Sequence, residues 1–256
     1  MITICVGNQK GGVGKTTTTL NLGHALADMG LRVLLIDLDP QSSLTIAAGA
    51  GDCEGRSMAN VFEGNMPLSD ILLDLGPGLQ LAPGDIELSE TELRLVSKLG
   101  REAVLFKALQ PMARRFDYCL IDMPPSLGIL AVNGLAASRW VLIPAIPQYL
   151  DLRAMGIFTR TINLVKKEIN PDIEILGILP TFWDSRIKLH AEVIEAWEKS
   201  ELDVLPVKIR RSIRIAEAPM TGGPITAYAP EIGESYKILA EVINGKASNT
   251  KHGQRK

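Results

Sequence analysis

The chain has 256 residues, 46% of them hydrophobic and 22% charged, with a formal net charge of −2. That length suits one globular domain burying roughly 70–75% of its unfolded surface, and the composition is that of an ordinary packed fold. The small net charge excludes bulk attraction to nucleic acid, so any such contact must be a local patch. Three cysteines without a C-x-x-C pair exclude a disulfide framework and read as buried free thiols in a reducing compartment.

Residues 2–6, Ile-Thr-Ile-Cys-Val, form an apolar run that predicts a core strand and not a signal peptide. The loop 10–17 follows, reading Lys-Gly-Gly-Val-Gly-Lys-Thr-Thr. It leads into helical spacing over 16–29, with Leu20, Leu22, Ala25 and Leu26 apolar and Gly30 as the stop. In a glycine-rich turn between strand and helix, backbone N–H groups curl around an anion and the helix N-terminus adds partial positive charge. Lys15 is placed to reach the β- and γ-phosphates of a nucleotide, and the Thr16 hydroxyl to bind Mg²⁺. The general phosphate-loop pattern has glycine where this chain has Gln9, and a second lysine, Lys10, comes next. Lys10 either stabilises phosphate charge or is a solvated loop lysine.

Residues 32–37 predict a buried strand, ending in the loop Asp37-Leu38-Asp39-Pro40-Gln41. The segment 42–83 is rich in Gly and Asp, with short helical signals near 58–62 and 68–73. Residues 87–112 read as helical with a break near Gly100, and 118–122 as a strand that Met123-Pro124-Pro125-Ser126 cannot continue. Further strands are predicted at 140–145, 173–179 and 203–207, and helices at 152–169, 188–200 and 233–244. Strands alternating with helices imply an α/β fold, a mostly parallel sheet with helices on both faces, in a single domain over 1–245. Residues 246–256 are polar and basic and read as a disordered tail. No apolar stretch reaches membrane-spanning length.

Ligands of parallel sheets bind beyond the C-terminal strand ends, where loop 10–17, Asp39 and Asp122 all fall. Phosphoryl transfer needs a metal, an in-line nucleophile and cations around the transferred group. Asp122 suits the metal, held directly or through water; the bland reading is a strand-end cap. Asp39 is assigned to orient the attacking water and Asp37 to support Mg²⁺ and the loop, although either could be an Asx-turn residue ahead of Pro40. The three scattered histidines suggest no metal site beyond Mg²⁺. Lys208, Arg210, Arg211 and Arg214 form a basic cluster with no acid until Glu217, either a solvated face or a phosphate-binding patch, with Arg186 a weaker addition.

Residues 8–19, 33–41 (VLLIDLDPQ), 121–128 (IDMPPSLG) and 214–219 (RIAEAP) resemble, in order and spacing, the motifs of ParA-type partition ATPases. The likeness covers residues 2–244 and is to the short, Soj-like group of the ParA/MinD deviant Walker A class. It implies a P-loop NTPase that binds ATP and Mg²⁺ and forms a homodimer when ATP-bound. It further implies that the dimer holds non-specific DNA and releases it when a ParB-like partner stimulates hydrolysis. The implied task is segregation or positioning of a plasmid, chromosome region or other cargo, in the cytoplasm at the nucleoid. The resemblance makes Lys10 a cross-subunit lysine, and Gly11, Gly12, Val13, Gly14, Lys15, Thr16 and Thr17 the ATP loop. It places Thr16 and Asp122 at Mg²⁺, where the reading of the residues already sets Asp37, makes Asp39 catalytic with Lys10 and Lys15, and gives the arginine cluster to DNA.

Three departures accompany it: Met123 stands where cysteine is usual, Gln148-Tyr149-Leu150 where Glu-Tyr-Tyr is common, and Arg210 where a proline is common near adenine. Adenine contacts are therefore open. A MinD-like membrane-associated ATPase shares the loop but needs a C-terminal amphipathic helix, and 246–256 has no apolar face. A metal or iron–sulfur carrier needs cysteines bridging a dimer, which Cys5, Cys53 and Cys119 do not match.

Overall fold

The computed structural model describes residues 1–51, 53, 55–199, 203–217 and 225–253. In chain order the elements are β1 (Ile2–Val6), α1 (Lys15–Asp28), β2 (Val33–Asp37), α2 (Ser43–Ala47), α3 (Met58–Glu63), β3 (Leu73–Asp74) and β4 (Leu79–Ala82). Then come α4 (Leu88–Leu95), α5 (Val104–Leu109), β5 (Tyr118–Asp122), α6 (Ile129–Ala136), β6 (Trp140–Ala145) and α7 (Tyr149–Glu168). The chain continues through β7 (Glu174–Pro180), α8 (Lys188–Glu198), α9 (Ile213–Glu217), α10 (Ile225–Tyr228) and α11 (Pro230–Gly253). The strands form one sheet in the order β3-β4-β2-β5-β1-β6-β7, parallel throughout except for β3 against β4.

Alternation along the central strands feeds two apolar layers. Ile4, Val6, Val33, Leu35, Leu120 and Leu142 pack with Leu22 and Leu26 of α1 and with Tyr236 and Leu239 of α11. Cys5, Leu34, Ile36, Cys119, Ile121 and Ile143 pack on the other face with Phe62, Leu105, Leu130, Phe158 and Trp197. Helices therefore cover both faces, and each central strand is apolar at successive positions. Register then sets the site: Val6 of β1 and Asp37 of β2 both pair with Asp122 of β5. Three strands end at one level.

The structure departs from the sequence reading in four places. The segment 42–83 holds α2, β3 and β4, which at five, two and four residues are too short to establish a period. Helix α6 is almost wholly apolar and offers no helical stripe either. The expected strand 203–207 meets β7 at a single bridge, Ile178 to Val204, because Pro206 has no N–H to continue the ladder. The tail expected to be disordered from 246 is helical as far as Gly253, continuing α11. Ala247 is buried there, and the Lys246 ammonium bonds the Asp203 carboxylate and the Leu176 carbonyl. Residues 254–256 lie outside the described residues.

Gly177 in β7 has a φ of 152°, and a Cβ there would lie 2.9 Å from the Asp203 carbonyl oxygen. Gly177→Ala should lower stability by about 1–3 kcal/mol through strain and backbone overlap. Urea denaturation measures it, and an unchanged midpoint would mean that the 203–205 segment yields at no cost.

Candidate functional site

Glycine builds the loop between β1 and α1. Gly12 and Gly14 have φ of 72° and 87°, values that side chains resist, and Gly14 caps α1 without a side-chain bond. The first N–H groups of a helix lack intrahelical partners, so this turn presents donors and the positive end of the helix dipole. Two side chains hold it in place. Buried Asn8 donates from Nδ2 to the Pro144 carbonyl at 2.8 Å and accepts the Lys10 N–H at 3.0 Å. The Thr181 hydroxyl, beyond β7, donates to the Val13 carbonyl at 2.8 Å.

Lys15 lies back against this loop, with its Nζ 3.4 Å from the Lys10 carbonyl. Burial lowers the pKa of its ammonium, and the negative charges of Asp122 and Asp39 oppose that shift. Asp122 is fully buried; its Oδ2 accepts from the Thr16 hydroxyl at 2.7 Å, and the Thr19 hydroxyl lies 3.4 Å from its Oδ1. Burial, and then the charge of Asp37, push the Asp122 carboxyl well above the usual range, against the Thr16 bond and Lys15. A buried carboxylate, a hydroxyl oxygen and a second acid nearby suit a hard divalent cation. Among the described residues no group of three or more His, Cys, Asp or Glu could hold a metal unaided. Such a donor set fits Mg²⁺, which usually takes one or two carboxylates and completes its shell with phosphate and water.

The two carboxylates of the β2 end have distinct surroundings. Asp37 Oδ2 accepts from the Thr45 N–H at 2.9 Å and the Thr45 hydroxyl at 2.8 Å, and its Oδ1 accepts from the Asp39 N–H at 3.1 Å. Burial pushes its pKa up to about 6. Asp37 thus fastens α2 to the sheet, while Asp122 is the acid bonded to Thr16. Asp39 Oδ1 accepts the Gln41 N–H at 3.0 Å, an Asx turn, and Asp39 also lines a cleft of about 600 Å³. The cleft walls include Gly11, Gly12, Gly14, Thr17, Phe182 and Ile215. Lys10 is placed differently: its Nζ bonds Gln148 Oε1 at 3.1 Å in an exposed contact.

The basic residues converge from two segments. A bridge between Trp183 and Arg210 brings Arg186 and the 208–214 segment together at the end of β7. Arg186 is held by the Asp184 carboxylate at 2.7 and 2.9 Å, and Arg214 by Glu231 at 3.3 Å. Ser212 and Ile215 line the cleft, so the basic segment borders it. Ala218 and Pro219 of the 214–219 motif lie outside the described residues. Sequence reasoning missed Thr45, Gly84 and Thr181. Thr45 sits in the unread segment, and Gly84 signalled only a turn. A Cβ on Gly84 would lie 2.9 Å from the Asp37 carbonyl oxygen, and its N–H donates to the Thr45 hydroxyl at 3.0 Å.

A family model described as an AAA domain matches residues 1–175. The Bacillus subtilis sporulation initiation inhibitor protein Soj is 40% identical over 246 residues, covering 94% of this chain and 97% of its own. The Myxococcus xanthus chromosome partitioning protein ParA is 39% identical over 233 residues, covering 88% and 81%. A Mycobacterium smegmatis structure described as cobyrinic acid a,c-diamide synthase, solved with ADP and magnesium and with an ATP analogue and magnesium, has a TM-score of 0.82. It is 37% identical and covers 94% of this chain and 93% of its own.

The Thr45 hydroxyl serves Asp37 and the Gly84 N–H together, so Thr45→Val strands a buried donor and weakens the hold on a buried acid. A loss of about 1–3 kcal/mol is expected from these unmade bonds. Chemical denaturation tests it, and parental stability would mean that Asp37 and Gly84 find other partners.

Proposed function

Because the chain belongs to the Soj and ParA family of partitioning ATPases, we propose that it binds MgATP at loop 10–17, hydrolyses it as a dimer and thereby times its hold on DNA. The observation that carries this reading is the Thr16 hydroxyl bonded to buried Asp122 at the mouth of a left-handed glycine turn. The nucleotide site and the basic face belong to one ATPase domain. Backbone N–H groups over Gly11 to Thr17 surround the phosphates, and Lys15 moves from the Lys10 carbonyl onto them. Thr16 and Asp122 hold Mg²⁺, and Asp37 keeps the adjoining loop in place. When bound, Mg²⁺ neutralises charge on the β- and γ-phosphates. Asp39, on the cleft wall, orients the attacking water. Lys10 leaves Gln148 and crosses to the partner subunit's nucleotide, where cations of this kind stabilise the transferred group.

The basic face, Lys208, Arg210, Arg211, Arg214 and Arg186, holds DNA through phosphate, without reading bases. A dimer doubles the contacts, and a ParB-like partner on the cargo releases them by stimulating hydrolysis. The protein works in the cytoplasm on the nucleoid. The amide-synthase name of the M. smegmatis relative and the partition reading share the nucleotide site and part at the DNA face. DNA binding therefore discriminates between them, and liposome co-sedimentation separates the MinD-like alternative.

Two experiments test the cycle. Lys15→Ala should abolish nucleotide binding, and with it dimerisation and DNA binding. Asp39→Ala should keep ATP binding, dimerisation and DNA binding while hydrolysis drops to background. Turnover equal to the parent's would remove Asp39 from the chemistry, and ATP affinity within threefold for Lys15→Ala would reject the loop assignment.

The DNA face is tested by Arg211→Ala with Arg214→Ala. With about four to six phosphates neutralised by the dimer, log K should fall with log salt at a slope of roughly −4 to −5. The double variant should lose DNA binding at physiological salt and keep ATP affinity. Since Ser212 and Ile215 border the cleft, a parallel loss of ATP affinity would reassign these arginines to bracing the nucleotide.

A further inference from the structure

One aromatic ring holds two cations of the basic face. Trp183 lies three residues beyond the end of β7, half-buried and packed against the core. Lys208 Nζ is 5.3 Å from its ring centroid, and the Arg210 guanidinium carbon is 5.9 Å away. Both fall within the roughly 6 Å over which a ring quadrupole attracts a cation. The backbone enforces the arrangement: the Trp183 N–H donates to the Ile209 carbonyl at 3.0 Å, and the Arg211 N–H to the Trp183 carbonyl at 3.0 Å. In this extended stretch Val207 and Ile209 are buried, so alternation turns Lys208 and Arg210 to the opposite side together.

We propose that Trp183 is the positioning residue of the nucleic-acid face, holding Lys208 and Arg210 as a pre-ordered pair of phosphate contacts. This rests on the DNA-binding reading above and names the group that organises it. Long cationic side chains lose rotamer freedom when they meet phosphate, and a side chain already resting on a ring loses less. A guanidinium over an aromatic face keeps its in-plane N–H groups available to an anion. Arg186 and Arg214 must first release Asp184 and Glu231, whereas Lys208 and Arg210 form no ion pair among the described residues. Among the described residues, the Trp183-held pair therefore has no ion pair to break before it meets DNA.

Anisotropy of a labelled duplex of arbitrary sequence, with the full chain, ATP and Mg²⁺, tests the proposal. Trp183→Leu keeps an apolar side chain, although a smaller one, and removes the quadrupole. DNA binding should weaken about tenfold at unchanged ATP affinity, while Trp183→Phe keeps most of the affinity. In a Lys208→Ala, Arg210→Ala background, Trp183→Leu should change nothing further. A loss under twofold, or an equal loss in both backgrounds, overturns the assignment and leaves Trp183 a packing residue. A second measurement depends on neither DNA nor the leucine variant. Lys208→Ala with Arg210→Ala should shift the Trp183 indole N–H resonance and leave those of Trp140 and Trp197 in place. An unmoved Trp183 resonance also overturns the proposal. A parent that binds no DNA although its Trp183 resonance shifts as expected rejects the DNA reading, and the positioning role with it.

Discussion

A fully buried carboxylate at the C-terminal end of β5 is the constraint around which this site is arranged. Ionised Asp122 inside an apolar sheet is costly unless hydrogen bonds and positive charge meet it. Among the described residues the start of α1 supplies them, through Thr16, Thr19 and Lys15. Parallel register between β1 and β5 sets Val6 beside Asp122, so the chain leaves β1 directly above the acid. The glycine turn then brings the helix start, with its unpaired N–H groups, over the same point. Loop conformation and buried charge are two sides of one arrangement.

Asp37 extends that arrangement sideways. It stands in register with Asp122, so the sheet carries two neighbouring acids whose charges repel. Asp37 is tolerated because Thr45 and the Asp39 N–H satisfy its oxygens. Those bonds hold α2 close and keep Asp39 at the cleft wall. Gly84 completes the contact because any side chain there would overlap the Asp37 backbone. A change of charge in the cleft therefore acts on a segment whose main anchor is another titratable group.

The cleft and the basic face share a boundary in the segment leading into α9. Ser212 and Ile215 face the cleft, while Arg211 and Arg214 are exposed. An element with one side on each site can carry free energy between them, because a shift that improves one set of contacts alters the other. The covering of the arginines also matters. Asp184 and Glu231 engage Arg186 and Arg214, so the net positive charge of this face is smaller than the count of arginines suggests.

The amino-acid sequence by itself determined the phosphate-type loop, the central strands, the strand-end acids and the α/β class. Each of these is written in a local pattern: glycines ahead of Lys15-Thr16, apolar runs of four to six residues, and breaks at Gly30, Pro40 and Pro124. Within 42–83 the helical signal near 58–62 matches α3, but α2, β3 and β4 were not legible, since two to five residues establish no period. The extension of α11 through 246–253 was not legible either, since a polar stretch continues a helix here where Ala247 is buried and Lys246 bonds the Leu176 carbonyl of β7 and the Asp203 carboxylate. Only the tertiary structure decided that Asp122 bonds Thr16, that Asp37 is occupied by Thr45, and that Trp183 gathers Lys208 and Arg210. Those outcomes depend on strand register and on contacts between segments up to about a hundred residues apart, which no local spacing encodes.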